Sequence, residues 1–115
     1  MQPMSQPTPQ PDAIVILTTT ADKKDAEALA QALLLHHLAA CVQIAGPMES
    51  RYWWNERIES AREYLCLIKT RRERYAEVEK LLLELHPYDV PEIVALPACE
   101  ISTGYFQWLC GQIQS

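Results

Sequence analysis

Two runs of strand length in this chain, Ile14-Val15-Ile16-Leu17 and Ile93-Val94-Ala95-Leu96, are apolar at every position. Successive side chains of a strand point to opposite faces of its sheet. Both faces of these strands therefore call for cover. A fold that shields only one face leaves each outward side chain short of roughly 1.5–3 kcal/mol of burial.

The segments around these runs set the layers. Ala13 to Thr20 reads as a central strand. A helix follows, with Asp22 as its cap and Asp25 near its positive end. Ala26, Leu29, Ala30, Leu33, Leu34 and His37 share one face of it. A second strand, Ala40 to Ala45, is interrupted by Gly46-Pro47, which suggests a bulge or bend. It resumes from Ser50 to Trp54. Asn55-Glu56 is a turn, and Arg57 to Thr70 returns as a long strand, buried around Tyr64 to Ile68. Thr70-Arg71-Arg72-Glu73 fits a capping box. The helix it opens presents Tyr75, Val78, Leu82 and Leu85 on one face. Pro87 ends that helix and drives His86 out of helical geometry. Ile93 to Leu96 is the fourth strand, and Ser102 or Thr103 caps a short final helix carrying Tyr105, Phe106, Trp108 and Leu109.

This order is the split βαβ, or ferredoxin-like, arrangement. The class is α+β, a βαββαβ sandwich plus a short C-terminal helix, with both main helices on one face of an antiparallel sheet. The expected organisation is a single domain over residues 12–115 behind a disordered Pro/Gln-rich tail, residues 1–11. That tail has no basic n-region or apolar h-region and does not read as a secretory signal. The second sheet face then lacks cover, apart from the final helix. Other copies of the chain are the expected cover.

Charge narrows the partners. A net charge of −5 and a pI near 5.1 argue against nucleic acid and against anionic membrane surfaces. No apolar run is long enough to span a bilayer. Cys41, Cys66, Cys99 and Cys110 form no C-x-x-C pair and have apolar neighbours. They read as buried free thiols in a reducing cytoplasm. With three glycines there is no phosphate loop, and there is no G-x-S-x-G elbow. Nothing in the sequence points to an enzyme.

The stretch from Leu85 to Pro97 carries the densest chemistry. Pro87 and Pro91 stiffen a turn that holds His86, Tyr88, Asp89 and Glu92. His86 and Glu92 are candidate ligands for copper or zinc. A structural His86, hydrogen-bonded to backbone at the helix end, fits the same residues. His36 and His37 are helix neighbours about 100° apart, so they end the first helix rather than chelate. Lys69 closes an apolar strand and needs a partner. Glu59, Lys69, Tyr88 and Glu92 are therefore candidates for an inter-subunit cleft, with a structural Lys–Glu pair as the alternative. Tyr52, Trp53 and Trp54 lie near a hairpin tip, where successive rings face opposite ways. One set of rings is free to anchor a subunit interface.

Cys41-Val42-Gln43-Ile44, Tyr52-Trp53-Trp54, Ile68-Lys69-Thr70 and His86-Pro87-Tyr88-Asp89-Val90-Pro91-Glu92-Ile93-Val94-Ala95-Leu96-Pro97 together resemble the CutA family of divalent-cation tolerance proteins. The similarity runs from about Ala13 to Leu109. It implies a ferredoxin-like subunit, a tight homotrimer made by pairing long strands, and a link to copper and other divalent metals. It also implies architectural kinship with trimeric PII signalling proteins. Some members carry a cysteine near the end of the first strand and a second histidine before the His-Pro pair. Here those positions are Thr18 and Leu85, so a soft copper ligand is missing. The alternative function, a PII-like sensor of small molecules, would need several basic residues converging on a cleft. Arg51, Arg57 and Lys69 are the nearby candidates.

Overall fold

The computed structural model describes residues 12–113, so the proposed tail lies outside the described residues. Its elements follow the expected order: β1 (Ala13–Thr20), α1 (Lys23–Leu35), β2 (Cys41–Trp54), β3 (Arg57–Arg71), α2 (Tyr75–Leu85), β4 (Val94–Pro97) and α3 (Thr103–Gln112). The sheet runs β2-β3-β1-β4, and β1–β3, β1–β4 and β2–β3 all pair antiparallel.

Residues directly opposite in an antiparallel ladder share a face, so the register sorts the sheet into two sides. Ile14 and Ile16 of β1, Cys66 and Ile68 of β3, and Val42 and Ile44 of β2 lie on one side. They pack with Ala26, Leu29 and Leu33 of α1 and Val78 and Leu82 of α2. This is the main core. The other side carries Val15 and Leu17, Leu65, Leu67 and Lys69, and, across from β1, Val94 and Leu96. Its only helical cover among the described residues is α3. Lys69 Nζ sits 5.7 Å from the centre of the Tyr105 ring, and Leu109 is fully buried. Beyond α3 the face is open, with Val94 46% and Leu96 47% exposed.

Four local expectations need correction. Thr70 and Glu73 form no capping box. Thr70 stays in β3 with its hydroxyl donating to the Leu38 carbonyl at 2.7 Å, and Glu73 pairs with Arg71 at 3.0 Å. A 3-10 turn, Arg72–Arg74, leads into α2 instead. The buried α2 face does not extend to Leu85, which is 50% exposed; Pro87 turns the chain before that residue can reach the core. Helix α1 ends at Leu35, because His37 adopts a left-handed φ of 54°. Asp22 holds the N-cap position of α1 without a side-chain cap bond.

The β2–β3 ribbon runs past the end of β1. Seven residues of β3, from Arg57 to Glu63, have no partner on β1, giving an arm of roughly 23 Å. Asn55 and Glu56 both take positive φ, 50° and 62°, as a two-residue type I′ hairpin turn requires. A bulge between Ala45 and Met48 places Gly46 and Pro47 opposite Tyr64 alone. Gly46 has φ +138°, and a Cβ there would lie 2.9 Å from the Glu63 carbonyl oxygen. Gly46→Ala should therefore destabilise the fold by about 1–3 kcal/mol, read as a lower urea midpoint at unchanged m-value. A neutral substitution would mean that the bulge can reform elsewhere.

Candidate functional site

The proline-stiffened turn is pinned where α2 ends. His86 closes α2, its amide donating to the Leu82 carbonyl at 2.8 Å. Its ring then crosses to the end of β1. Nε2 lies 2.8 Å from the Thr19 carbonyl oxygen, which can only accept, so the ring proton is on Nε2. Nδ1 in turn accepts the Tyr88 amide at 3.1 Å. The two rings pack at 4.9 Å. Burial lowers the His86 pKa from its ordinary value, against the opposing pull of the Thr19 carbonyl, Asp25 and Glu63. The ring is held neutral, with both nitrogens committed.

Tyr88 extends the chain of contacts onto the arm. Its hydroxyl donates to Glu63 Oε2 at 2.9 Å. Burial first, then the Glu63 carboxylate, pushes the phenol pKa up, so Tyr88 remains a donor. Glu63 was not singled out from the sequence, yet it is only 8% exposed. The signal was its parity: it lies two residues before Leu65 and four before Leu67, on the same side of β3.

Between the arm and the turn opens a cavity of about 650 Å³, lined by Thr19, Ser50, Arg51, Tyr52, Trp54, Glu63, Tyr88, Asp89, Val90 and Glu92. Tyr88, Glu92, Tyr52 and Trp54 thus come together. Trp53 does not join them. It pairs with Ile58 on the opposite side of the ribbon and is 72% exposed. Glu59 sits opposite Tyr52. Lys69 is ten residues along the same strand, roughly 33 Å away, under Tyr105. Within one chain, then, Lys69 does not meet Glu59, Tyr88 or Glu92.

Metal ligation has little preformed support. Among the described residues no group of three or more His, Cys, Asp or Glu side chains is placed to hold an ion. His86 would have to release the Tyr88 amide or the Thr19 carbonyl to offer a lone pair. Thr18 is fully buried, and its hydroxyl has no hydrogen-bond partner.

The neutral His86 gives a pH dependence whose sign is fixed. Its folded pKa is depressed, so the unfolded chain binds the extra proton first. The stabilisation is complete above the unfolded histidine value, near 6.5, and is lost as pH falls through the lower folded value. Chemical unfolding between pH 8 and 5 should show stability falling at the acid end, and His86→Gln should flatten that slope. An equal slope in both proteins would place the acid sensitivity elsewhere.

Comparison with known proteins agrees with this architecture. Residues 14–112 match the family model described as CutA1 divalent ion tolerance protein. The divalent-cation tolerance protein CutA of Thermus thermophilus is 39% identical over 95 residues, 83% of this chain and 92% of that protein. Its counterpart in Pyrococcus horikoshii is 34% identical over 96 residues, 84% of this chain and 93% of that protein. The crystal structure of CutA1 from Shewanella sp. SIB1 superposes with a TM-score of 0.88 at 37% identity, covering 92% of this chain and 99% of that one. With the family model matched over nearly all of the described residues and relatives 34% and 39% identical over most of their length, the chain belongs to the CutA1 divalent ion tolerance family.

Proposed function

We propose that this chain acts as a cytoplasmic homotrimer that supports tolerance to divalent cations, copper foremost, without a resident metal centre and without catalysis. The observation that carries the reading is the uncovered sheet face. Val94 and Leu96 stay nearly half exposed and Val15, Leu17, Leu65 and Leu67 only partly covered, while α3 shields one end alone. The arm adds Tyr52, Trp53, Trp54 and Ile58, all exposed in the single chain. A two-stranded ribbon standing by itself is marginal in water. Packing of the arms and open faces against neighbouring copies removes both liabilities. The four cysteines are free, which suits a reducing compartment, although against expectation only Cys66 is buried and Cys99 is exposed.

The tolerance role is best served by weak contacts. Glu92 and Asp89 are exposed carboxylates on the turn, accessible to a hydrated ion, while His86 holds the turn's shape. Such contacts select poorly between metals and saturate only at high concentration.

Sedimentation at low micromolar concentration should give a trimer, and Trp54→Ala should cost that trimer about 2 kcal/mol or more as a shifted dissociation constant. A monomer at that concentration sinks the assembly. Calorimetric titration with Cu²⁺ and Zn²⁺ should yield no stoichiometric micromolar binding, in the parent and in His86→Ala alike. Tight one-to-one heat in the parent that vanishes in His86→Ala would restore His86 as a ligand.

A further inference from the structure

His86 is 8% exposed at the corner where α2, β1 and the turn meet, and both of its ring nitrogens are engaged. Nε2 donates to the Thr19 carbonyl at 2.8 Å, and Nδ1 accepts the Tyr88 amide at 3.1 Å. Only the neutral ring can play both parts. A second proton has to go to Nδ1, where it would set one N–H donor against another. The bond to Tyr88 does not survive that proton.

The turn hangs on that bond. Among the described residues, the hydrogen bonds that tie residues 87–92 to the rest of the chain both come from Tyr88, its amide to His86 and its hydroxyl to Glu63. The ring is covered by its own chain, so the joint does not depend on what neighbouring copies cover. The groups that act on it come from every side. Helix α1 brings the Asp25 carboxylate, β3 the Glu63 carboxylate, the turn the Tyr88 ring, and β1 the Thr19 carbonyl. Burial opposes a charged ring, and the two carboxylates and the carbonyl favour it. Glu63 also accepts the Tyr88 hydroxyl, so a charged ring competes for the acceptor of the second tie as it breaks the first.

We propose that the His86–Tyr88 joint is a proton-operated latch. Protonation of Nδ1 releases the Tyr88 amide and uncouples the turn from the α2–β1 corner while the helix layer stays folded. The layer has its own support, since Ile16, Leu33, Ile68 and Leu82 are fully buried and use no part of the joint. The latch needs neither a bound ion nor a particular assembly.

The test is NMR of the full chain between pH 8 and 5. The His86 ring shifts report its protonation, and amide hydrogen exchange, corrected for the intrinsic rate at each pH, reports the N–H bonds one by one. The Tyr88 protection factor should fall about tenfold or more along the His86 titration, with a midpoint below the ordinary value near 6.5. The amides of Ile16 and Ile68, inside the paired strands, should keep their protection. His86→Gln takes up no proton in this range and should show no fall. The latch is overturned by a Tyr88 amide that stays protected, or is never protected, as the ring titrates. It is overturned equally by Ile16 and Ile68 losing protection together with Tyr88, or by the same fall in His86→Gln. Should His86→Gln fail to fold, the order of events in the parent decides alone. Sedimentation of the same samples separates the latch from the assembly. A fall seen only where the sedimentation changes would assign the effect to dissociation and overturn the latch.

Discussion

Strand β1 has two apolar faces, and the molecule is organised around that demand. Ile14 and Ile16 look into the helix layer, and Val15 and Leu17 look away from it. Helices α1 and α2 answer the first demand completely, leaving Ile16, Leu33, Ile68 and Leu82 with no solvent contact. The second demand is met, among the described residues, only at the α3 end, and no further element is left there for the remaining area. The features that give the chain its shape beyond a small sandwich, the extended arm and the exposed β4 edge, lie on or beside that unfinished surface.

The second organising element is the His86 joint. One histidine ties the end of α2, the end of β1 and the start of the turn into a single unit through three hydrogen bonds, two from its ring and one from its backbone amide. Tyr88 then carries that rigidity across to Glu63 on the arm. The turn and the arm are consequently positioned relative to each other even though no backbone ladder joins them. This explains why an ionisable residue beside a proline serves geometry here. Its neutral form is the one that both donates and accepts.

Much of the fold was legible in the sequence because its signals were local. The apolar run of β1, the 3.6-residue spacing of α1 and the proline after α2 each fix an element without reference to distant residues. The errors came where tertiary contacts override local pattern. Thr70 carries a capping signature, but its hydroxyl is taken by Leu38, thirty-two positions away in sequence. Strand β4 is displaced by one residue from the apolar run because β1 sets its register from Ile14 opposite Pro97. The turn was found through its prolines, whereas Glu63 lay hidden in a strand. Its burial depends on Tyr88, twenty-five positions along the chain, and no local pattern announces such a partner.

The bulge at Gly46 and Pro47 inserts one residue into β2, and pairing sums on its two sides differ by one. Before it the odd-numbered side chains of β2 share the side of Lys69; after it the even-numbered ones do. That single extra residue turns the ribbon's chemistry over. A chain lacking it would aim Arg51 and Trp53 at the acidic hollow and send Tyr52 and Trp54 to the outside. Which aromatic rings meet the carboxylates is thus decided at the foot of the arm, by a spacer whose own side chains contribute nothing to the lining.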